Sequence, residues 1–350
     1  MTNRDNLLRA LRRQSPEWVP FHFQLCPSQQ KVFLEKTGAT DFVPYFDLPI
    51  RFVELPAVKK KHDYSMYHQH LPQNAHIDEW GVGQEPGSVA HFTRMHHPMA
   101  HFETPDEVWS YPYPDHLDDI LWMDVHAQVE SAHREGRAAG FWTIQIFEYA
   151  WYLRGLENLL LDMMANEDMA QACLDKMVQF QALIAAKAAQ SGVDIILFGD
   201  DVGSQKGMIM NPALWRKWLK PALHHVIKAA KDVNPDVLAF YHSDGVVYDI
   251  IPDLIDIGVD ILNPIQPECM DPAVVKQQYG DRLSFWGTIG TQTVMPFGTP
   301  EDVKANVIDR IHTVGKGGGL LLAPTHLLEP EVPWENIIAF VDACKEYGRY

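Results

Sequence analysis

Apolar positions along this chain gather into eight short runs, each closing on polar or acidic residues and most separated by helix-length segments. The runs are 19–23 ending on Gln24, 43–46 on Asp47, 142–147 on Glu148, and 195–199 on Asp200 and Asp201. They continue with 238–241 on His242 and Asp244, 261–265 on Gln266, 283–286 on Gly287 and Thr288, and 320–324 on Thr325 and His326. Short β runs alternating with helical stretches predict parallel strands joined by crossover helices, and eight such units predict an α/β fold closed as a TIM (β/α)8 barrel. The strand C-termini form the working face of such a barrel, so residues distant in sequence are expected around one cavity.

Between residues 59 and 113 the alternation breaks into a stretch rich in His, Pro, Gly and aromatics, read as an insertion after the second strand that roofs the barrel mouth. Residues 1–13 read as an amphipathic N-terminal helix with Leu7, Leu8 and Leu11 on one face. Thr104-Pro105 and Thr299-Pro300, each followed by acidic residues, predict capped helix starts. The second of these helices carries Val303, Val307 and Ile311 as its barrel-facing stripe. Gly317-Gly318-Gly319 precedes the eighth strand and reads as a tight helix-to-strand turn at the barrel bottom. Gly287 and Thr288 follow the seventh strand on the top face, where close approach to an anionic ligand or cofactor group is expected.

The 350 residues suffice for a single domain, 1–350, that buries its core without disulfides. The four cysteines, Cys26, Cys173, Cys269 and Cys344, have neither paired spacing nor a CxxC unit and read as free thiols. No apolar run approaches the roughly 20 residues of a membrane helix, and the N-terminal stretch lacks a signal-peptide core, so a cytoplasmic chain without a membrane partner is expected. A formal charge of −17 opposes phosphate backbones, and Lys59-Lys60-Lys61 is too small to offset it, so no nucleic-acid partner is expected. Eight of the 17 histidines, His62, His68, His70, His76, His91, His96, His97 and His101, crowd the polar insertion and read as solvated or hydrogen-bonded loop residues.

Candidate chemistry sits at the strand ends. His242 and Asp244 after the fifth strand and His326 after the eighth would converge as three ligands of a divalent metal with an open coordination position. A polar network that only hydrogen-bonds a substrate stands beside that reading. Adjacent Asp200 and Asp201 should point one inward and one along the rim, with metal ligand, partner to His242, acid/base group or turn cap all open. Glu148 ends an apolar run, so its charge needs a metal, a cation or a proton, and burial should raise its pKa. Asp47 is a fourth candidate catalytic carboxylate, with Arg51 as a purely structural partner.

At these residues the chain resembles the uroporphyrinogen decarboxylase superfamily, through Gly-Phe-Trp-Thr143, residues 195–203, Phe240-Tyr-His-Ser-Asp-Gly245, Asp260-Ile-Leu-Asn-Pro264, Phe285-Trp-Gly287, Ala323-Pro-Thr-His-Leu327 and Pro333-Trp-Glu-Asn336. The resemblance implies an α/β barrel, and its zinc methyltransferases serve corrinoid proteins. The decarboxylase branch carries an arginine-rich segment after strand one, where this chain reads Phe23-Gln-Leu-Cys-Pro-Ser-Gln-Gln30. The methyltransferase branch carries His-x-Cys and a later Cys as zinc ligands. Here His242 keeps the histidine, Asp244 stands at the first cysteine position and His326 falls near the second.

Replacing thiolates by carboxylate and imidazole makes a harder Lewis acid that favours oxygen. The resulting expectation is zinc-dependent transfer of a methyl group from an oxygen-bound, methoxylated or aromatic donor to cobalamin carried by a partner corrinoid protein. Glu148 or Asp200 would supply a proton or a fourth ligand. The Asp124-Val-His126 start is not followed by a corrinoid-site glycine and looks helical, so the cobalamin is assigned to the partner. Porphyrinogen or other small-acid decarboxylation centred on Asp47 is the runner-up, and a non-catalytic tetrapyrrole-binding protein the third reading. The resemblance also implies a homodimer.

Overall fold

The computed structural model describes residues 1–87 and 93–350. Its centre is a parallel sheet of seven strands in sequential order: β1 (Ile50–Val53), β2 (Ala138–Trp142), β3 (Ile195–Gly199), β4 (Leu238–His242), β5 (Ile261–Asn263), β6 (Ser284–Ile289) and β7 (Leu320–Pro324). Neighbours pair in parallel throughout, for example Ile195 with Leu238 and Phe285 with Leu320. The eighth position beside β7 is filled by the first apolar run. Among the described residues it makes one isolated parallel bridge to β7, Phe21 to Leu322, followed just beyond both elements by Leu25 to Leu328. Pro20 in this run has no amide to give to a ladder, although its carbonyl accepts from Leu322. On its other side His22 meets Phe52 of β1 at 5.6 Å between ring centroids. The expected barrel is therefore met in part, as a seven-strand parallel sheet with a loosely bridged eighth stave.

Two runs take a different structure from the one expected. Residues 43–46 belong to a short helix, Phe42–Phe46, because Asp41 caps it by accepting from the Val43 amide and Phe46 buries against Phe23 and Phe33. The second strand is Ile50–Val53 instead. Run 142–147 is split: the strand stops at Trp142, and a helix, Ile146–Arg154, begins four residues later. Asp47 and Glu148 therefore do not end strands. Asp47 is the left-handed cap of its helix at φ 60°, and Glu148 lies in a helix's first turn.

The N-terminal helix, Asn3–Leu11, plugs the bottom of the sheet. Its Leu7, Leu8 and Leu11 pack into one buried cluster with Ile50, Ala138, Ile195, Leu238 and Ile261, the first residues of five successive strands. A flat sheet cannot bring five successive strands to one helix, so the contact itself reports the curl. Gly317, Gly318 and Gly319 all take positive φ, and the Gly319 amide donates to the Ala10 carbonyl, which makes this the expected bottom turn. Both threonine-proline starts form reciprocal capping boxes, at Thr104 and Thr299.

The insertion builds a three-stranded antiparallel sheet, His76–Ile77, Gly83–Pro86 and Thr93–His96. It packs on the helices Ile146–Arg154 and Glu167–Gln190, with Trp80 edge-on to Tyr149 and Phe180. His68 bonds the Gly81 carbonyl, His96 meets Glu85 and His97 bonds the Tyr152 carbonyl, in keeping with loop histidines; His91 lies outside the described residues. No disulfide occurs among the described residues, and no helix is long and apolar enough to cross a membrane.

Candidate active site

A cavity of about 300 Å³ opens at the carboxyl ends of the strands, lined by residues from the first run and from every strand of the sheet. It holds Glu148, Asp201, His242 and His326 among aromatic walls from Phe52, Trp142, Phe240 and Trp286. Among the described residues, no lysine or arginine lines it, and no described residue of the insertion does.

The loops after β3 and β4 interlock, which fixes where their acids point. The Val202 amide donates to Ser243 Oγ and the Val246 amide to the Ser204 carbonyl. A Cβ on Gly203 would lie 2.3 Å from the Asp244 carbonyl oxygen, and one on Gly245, at φ +80°, would lie 2.5 Å from the Ser204 nitrogen. Only glycines allow that approach. The Asp244 amide thereby donates to Asp201 Oδ1 at 2.9 Å, placing the two carboxylates side by side.

His242 completes the group. Its Nε2 lies 3.5 Å from Asp201 Oδ1 and 3.9 Å from Asp244 Oδ1, and one ligand atom of each of the three residues falls within 4.8 Å of the others. The tautomer follows from Asn263, whose side-chain amide donates to the Trp286 carbonyl at 2.8 Å and so turns Oδ1 toward His242 Nδ1 at 2.5 Å. Nδ1 then carries the proton, and the Nε2 lone pair faces the two carboxylates. Asp244 Oδ1 is buried with no hydrogen-bond partner among the described residues. A lone pair, an orphaned carboxylate oxygen and a second carboxylate converging on one point are a donor set that a divalent cation satisfies, with oxygen and nitrogen ligands suiting zinc or a harder ion. Burial pushes the Asp244 carboxyl up and the Asp201 charge reinforces it, while His242 and His326 pull it down.

The structure sorts the remaining candidates. His326 lines the cavity, close enough to act on Asp244, but is not part of the three-residue group. Asp200 turns away: it is 3% exposed, and its Oδ1 accepts from the Phe147 and Glu148 amides at 2.7 and 3.0 Å, capping the helix Ile146–Arg154. Burial and the neighbouring Glu148 raise its pKa against those two bonds. Asp201 is thus the inward member of the pair. Glu148 faces the cavity with its pKa raised to about 7, first by burial and then by Asp201, against the pull of His242 and the Tyr152 hydroxyl.

Asp47 lies at the other end of the molecule, bonded by Asn3 at 2.7 Å and 3.4 Å from Arg137, and so takes no part in the cavity. Arg51 pairs with Asp41 and Glu135 rather than with Asp47. Gly287 and Thr288 lie inside β6, not beyond it. A Cβ on Gly287 would meet the Pro264 carbonyl at 2.1 Å, and Thr288 is fully buried, so this glycine serves close strand packing and neither residue lines the cavity. Asp124 and His126 lie in the helix Asp119–Arg134, as their sequence suggested.

Asn263 was not among the sequence candidates. Its signals are a polar residue closing the apolar start of β5 and its place in the Asp260-Ile-Leu-Asn-Pro264 stretch of the resemblance. Groups that orient a metal-binding imidazole are worth about 10- to 100-fold in metal affinity. Asn263→Ala is therefore expected to weaken zinc binding by that factor while leaving the fold intact, as measured by competition with a chelating dye; unchanged affinity would show that Asn263 does not set the tautomer.

Comparison with known proteins agrees with this architecture. A solved methyltransferase from Methanosarcina mazei superposes with a TM-score of 0.72 over 99% of both chains at 18% identity, which establishes a shared fold. Among characterised proteins, the methylcobamide:CoM methyltransferase MtaA of Methanosarcina barkeri is 29% identical over 181 residues, 51% of this chain and 50% of that protein. The methylated-thiol–coenzyme M methyltransferase of Methanosarcina mazei is 24% identical over 208 residues, 57% of this chain and 51% of that one. The uroporphyrinogen decarboxylase of Coxiella burnetii is 20% identical over 184 residues, 52% of this chain and 48% of that enzyme. Each match spans about half the length of the relative. The uroporphyrinogen decarboxylase (URO-D) family model matches residues 140–347, more than half of the chain and the part that carries Glu148, Asp201, His242, Asp244 and His326. This chain belongs to the uroporphyrinogen decarboxylase family.

Proposed function

We propose that this chain is a metal-dependent methyltransferase that takes a methyl group from an oxygen-bound donor and passes it to the cobalt of a corrinoid held by a partner protein. The observation that carries the reading is the orphaned Asp244 Oδ1 beside the His242 Nε2 lone pair and Asp201, the latter two lining the cavity at the strand ends. The names of two relatives, both methyltransferases acting with coenzyme M, support the reaction class. Asp201, His242 and Asp244 would hold the ion, with His326 beside them. A divalent ion there supplies Lewis acidity toward the oxygen that gives up the methyl group. Two carboxylates and one imidazole favour an oxygen donor over a thiol. Glu148, on the same cavity, would return a proton to the leaving oxygen, with Trp142, Phe240 and Trp286 among the aromatic walls around it. The decarboxylase reading loses support twice, since Asp47 is remote from the cavity and, among the described residues, no lysine or arginine lines it to meet a multiply anionic porphyrinogen.

The test is elemental analysis of the purified chain, followed by methyl transfer from a panel of methoxylated compounds to reduced cobalamin. Stoichiometric zinc and methylcobalamin formation are expected. A metal-free protein that turns over porphyrinogens would overturn the proposal.

Glu148 also sets a pH dependence of folding in the metal-free protein. Its carboxyl holds its proton to about pH 7 when folded, so the native state binds more protons than the unfolded chain between the ordinary glutamate pKa and 7. Stability is then full below that window and falls as pH rises through it. Glu148→Gln should flatten this slope and stabilise the apoprotein at pH 8 by about 1–3 kcal/mol, the range set by ~1.4 kcal/mol per pKa unit. Urea denaturation at pH 5 and pH 8 checks it, and an equal slope in both proteins would refute the assignment.

A further inference from the structure

His22 sits in the same cavity as the acidic cluster and is used by nothing described so far. It belongs to the loosely bridged first stave, where residues alternate: Phe21 and Phe23 pack outward on Phe340, and His22 turns inward. Its ring is held edge-on between Phe52 at 5.6 Å and Trp286 at 5.3 Å. The side chain lines the cavity, is 4% exposed, and makes no side-chain hydrogen bond among the described residues. Burial holds its pKa down to about 3, so the imidazole is neutral at any physiological pH. A neutral imidazole offers one N–H and one lone pair, and a polar group left without a partner in an apolar wall is costly.

The cavity thus has two poles. One carries Asp201, His242 and Glu148; the other is a neutral imidazole framed by aromatic rings, and no described lysine or arginine lines the cavity between them. The geometry points to His22 as the residue that selects the substrate, by hydrogen-bonding a hydroxyl or carbonyl on an uncharged aromatic molecule whose ring lies among Phe52, Phe240 and Trp286. A hydroxyl satisfies either nitrogen of the imidazole, and edges and faces of the surrounding rings suit an aryl body. At the His22 end, away from the proposed ion, an anion is disfavoured because no described lysine or arginine lines the wall and the two acids of the lining, Glu148 and Asp201, oppose it. This deepens the reading given above by naming the class of donor: an uncharged hydroxyaryl or carbonyl-bearing aryl methyl ether, rather than a carboxylate- or sulfonate-bearing compound.

Calorimetric titration of the zinc-loaded full chain with phenol, toluene, benzoate and tetramethylammonium tests the inference without a corrinoid protein. Phenol is expected to bind roughly tenfold tighter than toluene, the worth of one buried hydrogen bond, with benzoate and tetramethylammonium weaker still. His22→Phe should bring phenol down to the level of toluene while toluene affinity and zinc content stay unchanged. Should that variant fail to fold, nitrogen NMR of the wild-type imidazoles decides the matter, since the His22 resonances should move with phenol and not with toluene. Equal binding of phenol and toluene, tighter binding of benzoate or tetramethylammonium, or unmoved His22 resonances would overturn the assignment. Phenol selectivity that depends on His22 in a protein unable to transfer methyl groups would instead sink the reaction and leave the binding site standing.

Discussion

His242→Ala is expected to leave the purified protein without zinc and to lower methyl transfer roughly 10³-fold, the equivalent of losing several kcal/mol of Lewis-acid stabilisation. The imidazole is the sole nitrogen donor in the cluster, and its Nε2 is aimed at both carboxylates by the Asn263 contact. Without it, Asp201 and Asp244 remain as adjacent acids, and burial then drives Asp244 toward its protonated, non-binding form. Asp244→Ala should match His242→Ala, because it deletes the orphaned oxygen itself. His326→Ala should cost less metal affinity than either, since its ring stands outside the three-residue group. Elemental analysis and single-turnover methyl transfer on the three variants resolve the ligand set. Retention of zinc in His242→Ala would remove the physical basis of the proposed reaction.

Where the sequence was legible, one physical constraint acted alone. Runs 195–199 and 320–324 are β3 and β7 to the residue, because strands buried on both faces are written as unbroken apolar stretches bounded by polar ones. Run 142–147, Trp-Thr-Ile-Gln-Ile-Phe, alternates apolar and polar residues as a half-buried strand does, yet it spans a strand end, a turn and a helix start, so its periodicity carries no boundary there. The signal that separates them is remote: Asp200, on the next strand's end, caps the helix that starts at Ile146. Residues 43–46 fail for a local reason, the Asp41 cap, combined with burial of Phe42 and Phe46 against aromatic partners. Asp47 was misplaced with them.

The site follows the same division. His242 and Asp244 are legible because they close a clean strand. Choosing Asp201 over Asp200 was beyond the sequence, since neighbouring aspartates differ only in which way the loop turns them, and that is decided by which helix amides need a cap. Asn263 acts by orienting another side chain, a role with no compositional signature. His22 was readable in principle, as the polar middle of the alternation Phe21-His22-Phe23, but its lack of a partner exists only in three dimensions.

Arg154 anchors the insertion to the barrel, and Arg154→Ala is expected to destabilise the protein by about 3–5 kcal/mol, the cost of breaking a buried ion pair from one side. Arg154 and Asp162 are 7% and 6% exposed, with Nε 2.9 Å from Asp162 Oδ2. The same guanidinium donates through Nη1 to the Met99 carbonyl at 2.7 Å and the Phe102 carbonyl at 2.9 Å. Truncation therefore strands one carboxylate and two carbonyls that water reaches poorly, on top of lost packing. The effect should separate from an exposed pair such as Lys228–Asp232, whose side chains are 58% and 62% exposed and whose loss should cost no more than about 0.5 kcal/mol. Replacing both Arg154 and Asp162 by leucine should recover much of the loss, because no charge is then left buried. Activity should suffer as well: Arg154 closes the helix whose first turn carries Glu148, so a loosened C-terminal end lets that carboxyl drift from Asp201 and His242. Guanidinium denaturation of these proteins gives their unfolding free energies, and a value for Arg154→Ala within about 1 kcal/mol of wild type would show that the insertion is held by its aromatic contacts with Tyr149 and Phe180 instead.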